Sequence, residues 1–549
     1  MFVQLIILSH FLRILQLTNE TKNTNTIAKS AAAVGIAVMC SRILGLVREQ
    51  IFAGLFGAGM TYDSFVVAFR IPNLLRDLFG EGALSAAFVT VFTAYNTTKT
   101  TEDTYRLASN VLTFILLLLS AITLVAVYSA GPLVHLLAPD FVLTAGKTEL
   151  TEKLTRIMLP FLIFISLSAV VMGMLNTKGK FFVPAMASAF FNLGSIIGGV
   201  SLAYILPKYG QPAIVGMAIG TLIGGLMQLG VQIPTLLKTG FRYKPILDLK
   251  DPGLHRVLKL MIPATIGLSA TQINIFVNTN FASSCGDGAV SWLYYAFRLV
   301  QLPIGVFGVA LSIAMLPVLA KQAAQKDIAN MKKTMISSLT MVFLLTLPAT
   351  AWLMLLSEPI IRIIFERGAF TPFDTLATAR TLTFFAIGLF AYSANKVLVP
   401  AFYALDKTKY PVIASFIAVG FNIVIVYFTI DQYQHLAIAF STSCTMLINF
   451  TFLMTVLYKC MGGYSLSTLV KAVAKIGVAC FGLIATVLLL NPLVKVVLTG
   501  NILQQALGLG CLFVTSGIIY VVLLHYLKLH EMNFLMSKIA GKFKKNRKR

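Results

Sequence analysis

Residues 107–128 read LASNVLTFILLLLSAITLVAVY, a run without a single Asp, Glu, Lys or Arg. A helix of about 20 apolar residues crosses the hydrocarbon core of a bilayer, so this stretch predicts a membrane span. Working outward, comparable stretches predict spans upstream at 27–47 and 62–95. Downstream they fall at 154–175, 183–206, 212–237, 257–284, 288–319, 334–356, 375–403, 411–430, 436–457, 468–490 and 501–526. Composition agrees with this count. Of 549 residues, 57% are hydrophobic and 12% charged, with a mean hydropathy of +0.84. A typical soluble protein has about 25% charged residues. The balance excludes a soluble globular enzyme, a disordered chain and a basic DNA-binding domain, and leaves little chain for any aqueous domain. The fold class expected is an all-α polytopic membrane protein with about 14 transmembrane helices.

Two predicted spans, 62–95 and 288–319, are longer than a simple crossing and carry Pro72, Gly80, Gly82, Pro303, Gly305 and Gly308. Bent or broken helices are expected there, because irregular backbone at membrane depth has to be buried in protein or line a cavity. Gly194 with Gly198, and Gly220 with Gly224, have the spacing of close helix packing. Six cysteines stand singly, with no CxxC or zinc spacing, and read as small apolar fillers. No metal site is expected.

The 44 Lys and Arg against 20 acidic residues give a net charge of +24. With both termini in the cytoplasm, most of that excess falls on cytoplasmic segments, as the positive-inside rule requires. One such loop holds Lys238, Arg242, Lys244, Lys250, Arg256 and Lys259; another holds Lys321, Lys326, Lys332 and Lys333. The tail from Lys528 to Arg549 adds eight. Lys147, Lys208 and Arg362 are counted on the periplasmic side. The charge thus reads as an N-in/C-in orientation signal and a contact with anionic membrane lipids, with no nucleic-acid partner. Residues 1–26 form an N-terminal extension, read as a surface-lying amphipathic segment or an overlong gene start.

The chain also resembles itself. Ala68-Phe69-Arg70 recurs as Ala296-Phe297-Arg298, Phe79-Gly80 as Phe307-Gly308, and Phe191-Asn192 as Phe421-Asn422. The near-constant offset predicts two six-helix lobes related by a pseudo-twofold repeat, plus two C-terminal helices. The N-lobe spans 27–237, a cytoplasmic linker 238–259, the C-lobe 260–457, the last two helices 458–526 and the basic cytoplasmic tail 527–549. Repeats of this kind place a substrate site at their interface near mid-membrane, which points to a transporter.

Ionisable residues inside spans are costly, about 2.5–3.5 kcal/mol each on insertion scales, and therefore mark function. The first lobe holds Arg42, Arg48, Glu49, Asp63, Arg70, Arg76, Asp77 and Glu81; the matching stretch of the second holds essentially Arg298. Such a group reads as a cationic cavity for an anionic headgroup, because the guanidinium fork suits phosphate. Arg–Asp and Arg–Glu pairs that satisfy each other are the structural alternative, and Asp63 with Arg70, on one helical face, is the pair most open to it. Asn192, Asn274, Asn278, Asn422 and Asn449 read as interhelical hydrogen-bond glue. No GxxxxGK[ST] phosphate loop occurs, so the energy source expected is an ion gradient, the membrane potential, substrate flux or a partner.

Ser41-Arg42-Ile43-Leu44-Gly45-Leu46-Val47-Arg48-Glu49 resembles the opening motif of the MurJ (MviN) lipid II flippases. Phe56-Gly57-Ala58-Gly59, Asp63, Ala68–Arg76 and Phe79–Ala83 continue it. Trp292–Leu299 looks like the family's YYADRL, and Phe365-Glu366-Arg367-Gly368-Ala369-Phe370 is similar to its LFERGAF. The resemblance implies the fold of the multidrug/oligosaccharidyl-lipid/polysaccharide superfamily, the last two helices forming a lipid-tail groove. It implies a monomeric flippase, not an enzyme, of the bacterial cytoplasmic membrane. The substrate implied is lipid II, with other cell-wall synthesis proteins as partners. Carried over residue by residue, Arg42, Arg48, Glu49, Asp63, Arg76 and Arg298 match cavity positions of the family; Arg70 and Glu81 join the candidate site. Four features depart from the pattern: Phe297 and Gln301 stand where acidic residues are common, Asn278 where many members carry an Asp proposed for cation binding, and Asp406-Lys407-Thr408 is an altered form of the usual turn. No cofactor is implied, and coupling to a monovalent cation at Asn278 or to the membrane potential is the expectation. A sister exporter of a polyprenyl-linked glycan or drug, and a membrane enzyme acting on a polyprenyl-phosphate, are the alternatives.

Overall fold

The computed structural model describes residues 24–79, 82–498, 500–529 and 531–532. Most of the extension expected at 1–26, Glu81, and most of the tail expected at 527–549 lie outside the described residues. Among the described residues every regular element is helical. Eleven helices are long and apolar enough to cross a membrane, or thirteen if two bent pairs each count as one span. The fourteenth expected span, 27–47, falls within the helix Thr24–Phe56, whose side chains are described only from residue 34 onward.

Two compact units divide the chain: one runs to Ser291 and takes in Arg367–Phe370; the other runs from Trp292 to Glu366 and on from Thr371. The first contains α1 (Thr24–Phe56), α2 (Met60–Phe79), α3 (Ala83–Thr98), α4 (Thr101–Tyr128), α5 (Ala130–Leu137), α6 (Lys147–Met158), α7 (Phe161–Thr177), α8 (Phe182–Ile205), α9 (Ala213–Gly230), α10 (Ile233–Leu237) and α11 (Pro252–Ser283). α12 (Ala289–Pro303) begins in the first unit and continues into the second. There follow α13 (Ala310–Ala324), α14 (Ile328–Leu355), α15 (Ser357–Phe365), α16 (Pro372–Ile387), α17 (Leu389–Ala404), α18 (Lys409–Tyr433), α19 (His435–Cys460), α20 (Leu466–Leu498) and α21 (Ile502–Tyr526).

Local sequence explains where these helices start. Thr100 caps α4 by accepting from the Asp103 amide at 3.1 Å, with Glu102 and Asp103 in the first turn, where acidic groups suit the helix dipole. Asp251 caps α11 ahead of Pro252, taking the Gly253 amide at 2.6 Å. Thr371 with Asp374, and Asn501 with Gln504, form capping boxes at α16 and α21.

In the first unit, Leu84, Phe88, Phe92, Leu107, Val111, Leu162 and Val170 form a buried cluster on α3, α4 and α7. α8 and α9 meet along small residues. A Cβ on Gly220 would lie 2.4 Å from the Gly199 Cα, and one on Gly224 would lie 2.5 Å from the Phe191 carbonyl oxygen. The backbones therefore touch, as the glycine spacing predicts. The loop between α10 and α11 is pinned to α4: the Asn110 side chain donates to the Asp248 carbonyl and accepts from its amide, both at 2.8 Å. The Tyr105 hydroxyl donates to the Thr239 carbonyl at 2.6 Å. Arg367–Phe370 packs on the end of α1, where the Ala369 amide donates to the Gly54 carbonyl at 2.9 Å. Gly57, at φ +63, would put a Cβ 2.4 Å from the Ala369 oxygen; no other residue fits so close an approach.

In the second unit, α12 passes through Pro303 into a π-helical segment, Ile304–Val309, before α13. The break expected in 288–319 is thus a π-bulge, a form that widens the helix by one residue. Two further bends were not anticipated. Residues 257–284 and 375–403, each read as one span, are bent by 46° within α11 and by 43° between α16 and α17. α20 and α21 pack on each other and on α14. There the Trp352 indole donates to the Ser516 hydroxyl at 3.0 Å and the Tyr520 hydroxyl to the Leu344 carbonyl at 2.7 Å.

Candidate functional site

α1 and α2 place Arg48, Glu49 and Asp63 inside the first unit, in two separate arrangements. Arg48 donates to Glu49 at 2.6 Å, and the Tyr62 hydroxyl donates to the other Glu49 oxygen at 2.8 Å. The Arg48 guanidinium also lies over the rings of Phe52 and Phe191, 5.8 and 5.3 Å from their centroids. Arg48 is 7% exposed and Glu49 1%. Tyr62 and Phe191, which complete this arrangement, were not singled out in the sequence as partners of the pair.

Asp63 is fully buried. Its Oδ2 accepts from the Lys147 ammonium at 3.0 Å and the Gly288 amide at 2.8 Å; its Oδ1 accepts from the Ser291 amide at 2.9 Å and the Ser291 hydroxyl at 2.5 Å. The pairing of Asp63 with Arg70 suggested by their shared face does not occur, because every partner of Asp63 lies elsewhere. Lys147 itself, counted from sequence as a periplasmic surface charge, is 2% exposed. It also donates to Asp287 at 2.6 Å and lies 4.2 Å from the Phe141 ring centroid. A lysine next to Gly146 and Thr148 in a polar stretch gives no sign of burial; its partners stand far along the chain.

The remaining arginines are less enclosed. Arg70 is half-buried and donates to the Thr279 hydroxyl. Arg76 is half-buried and donates twice to Asp77 Oδ1, at 3.1 and 2.8 Å, while Gln272 donates to the other Asp77 oxygen at 3.2 Å. Arg42 is half-buried on α1, and Asn278 half-buried on α11. Glu81 lies outside the described residues. In the second unit, Arg298 is half-buried on α12 and, among the described residues, carries no ion pair. Its neighbour Phe297 packs against Phe385 and Tyr392, with ring centroids 5.3 and 6.4 Å apart.

The structure therefore sorts the candidates by access. Arg48, Glu49 and Asp63 are sealed; Arg42, Arg70, Arg76 and Arg298 keep partial exposure.

Comparison with known proteins adds family evidence. The family model described as "Lipid II flippase MurJ" matches residues 52–505. A protein of Buchnera aphidicola subsp. Schizaphis graminum named "Probable lipid II flippase MurJ" is 32% identical over 512 residues, covering 92% of this chain and 98% of that one. The solved structure titled "Lipid II flippase MurJ, inward closed conformation" superposes with a TM-score of 0.74 at 28% identity, covering 89% of this chain and 97% of that one. A multidrug resistance MATE family transporter of the MOP superfamily, solved facing inward, shares the fold at 14% identity, with a TM-score of 0.60 over 83% of this chain and 99% of that one.

Proposed function

The chain belongs to the MurJ family of lipid II flippases, and from that premise we propose that it carries lipid II from the cytoplasmic to the periplasmic leaflet of the bacterial cytoplasmic membrane for cell-wall synthesis. It acts as a multi-pass transporter, not as an enzyme. The cargo has a pyrophosphate and sugar-peptide head on a long polyprenyl tail. Only the head needs a polar route.

The observation that carries this reading is Arg298: half-buried in an apolar helix, with no ion pair among the described residues. An arginine at such depth costs about 2.5–3.5 kcal/mol on insertion scales. A pyrophosphate offsets that cost with bidentate charge-assisted hydrogen bonds. Arg42, Arg70 and Arg76, also half-buried, supply further cationic contacts. Arg48, Glu49 and Asp63 are held within the first unit by the buried partners described above. The transport cycle is alternating access with both termini in the cytoplasm. The helices α20 and α21 seat the polyprenyl tail, and a monovalent cation near Asn278 or the membrane potential drives the cycle.

The test is replacement of Arg298 and Arg76 by Ala in a bacterium depleted of its own flippase. Each variant is expected to reach normal membrane levels and fail to restore growth. Full growth of both overturns the proposal. Purified protein is further expected to bind lipid II in competition with other polyprenyl-pyrophosphates; no competition excludes the pyrophosphate as the recognised group.

A further inference from the structure

Lys396 lies inside the expected span 375–403, on α17, eight residues before Ala404 ends that helix. That is about 12 Å along the axis, further than a lysine stem reaches. Of residues 389–402 it alone is exposed; the others are buried or half-buried. A helix side turned to lipid exposes residues three and four apart. On the Lys396 side of α17, Ser393 and Pro400 are buried and Tyr392 and Val399 half-buried. The ammonium therefore emerges among protein groups and not from a lipid-facing stripe. Among the described residues it makes no ion pair and no hydrogen bond, and it lies 5.7 Å from the Tyr392 ring centroid. A charge left so at membrane depth is costly and marks a functional position.

The same ring meets α12. The Tyr392 and Phe297 centroids are 6.4 Å apart, and Arg298 follows Phe297. Gly308, in the π-helical segment that continues α12, would put a Cβ 3.0 Å from the Ser393 Cα. The backbones approach closely there. Within the second unit, α12 and α17 thus bring two cations to one aromatic pair, neither with an ion pair among the described residues. Like charges gathered away from bulk water repel, and a shared anion relieves both.

We infer that Lys396 is a second substrate-binding residue of this unit: it supplies a point charge to the pyrophosphate that Arg298 holds by its guanidinium fork. The inference rests on the reading of the chain as a lipid II flippase.

The test measures the affinity of the purified full chain for lipid II and for undecaprenyl pyrophosphate, which lacks the sugars and peptide, together with the melting temperature. Lys396→Met is expected to weaken binding of both lipids about 10-fold. Its melting temperature is expected to be unchanged or raised, because an unpaired charge leaves the span. Lys396→Arg, which keeps the charge, is expected to bind both lipids within about 2-fold of the unsubstituted chain. Unchanged affinity in Lys396→Met, a weakening confined to lipid II, or an equal loss in Lys396→Arg overturns the inference. A lowered melting temperature, or failure of Lys396→Met to fold, overturns it too and leaves a structural lysine. If the unsubstituted chain binds neither lipid, the functional reading itself fails, a result separate from any ranking of the variants.

Discussion

Arg70 and Arg298 end the same repeated tripeptide, Ala-Phe-Arg, yet their surroundings differ. In the first unit the arginine belongs to a run of charges. Asp63 stands seven residues before it and is tied to Lys147; Arg76 and Asp77 follow and pair with each other. In the second unit the arginine carries no ion pair among the described residues, its neighbour Phe297 packs into an aromatic cluster, and a π-bulge opens just beyond. The first copy of the motif spends much of its charge on holding itself together. The second carries one arginine, half-buried. The same tripeptide thus stands on a helix in both units, in chemically different surroundings.

The sharpest way to break this contrast is to remove Asp63. Asp63→Ala takes one of its two carboxylates from buried Lys147, and removing one partner of a buried ion pair costs about 3–5 kcal/mol. A thermal melt of the detergent-solubilised protein is expected to show that loss; an unchanged melt means the first-unit charges are not structural. Arg298→Ala is expected to behave oppositely, lowering lipid II flipping in proteoliposomes at least 10-fold while shifting stability by less than about 0.5 kcal/mol, as for a residue outside any buried network. Phe297→Leu removes two aromatic contacts worth about 0.5–1.5 kcal/mol each. It is expected to lower the melting temperature slightly and leave lipid II affinity unchanged; an affinity loss would place Phe297 in the recognition of the substrate. The smallest effect separates two helix caps. Asp327 caps α14, and its hydrogen bonds from Asn330 hold its carboxyl below the ordinary value. Thr100 caps α4 with a hydroxyl that does not titrate in this range. The Asp327 contribution is complete above the ordinary carboxyl value and is lost as the pH falls through the depressed one. Hydrogen exchange is expected to show the Asn330 amide losing protection in acid, with the Asp103 amide unaffected.

The spans were legible because hydropathy is a local property: 107–128 sits within α4, and 501–526 matches α21 closely. The glycine seam of α8 and α9 was legible for the same reason, since small residues at fixed spacing have one main use in a membrane. Of the bends, the one after Pro303 was expected, while the one in α11, which also holds Pro263 and Gly267, was not. Pro303 with Gly305 and Gly308 signalled the π-bulge. Gly388, where α16 gives way to α17, stood alone in an apolar run, and its meaning lies in Ser443, whose Cα a Cβ there would approach to 2.8 Å. In the candidate site, the arginines were visible as charges out of place. Their sorting into sealed and half-buried was not, because it depends on Tyr62, Lys147 and Gln272, and on contacts such as Lys147 with Asp287, 140 residues apart. A lysine in a polar stretch looks like a surface lysine until its partners are known.

The loop of residues 238–251 carries a mechanical consequence. A free linker of that length would wander over about 20 Å and absorb displacement at either end as slack. Pinned near its far end by Asn110 and near its start by Tyr105, it has almost no slack to give. It works as a strut rather than a tether, so a push on α11 is delivered to α4 instead of being lost in the loop.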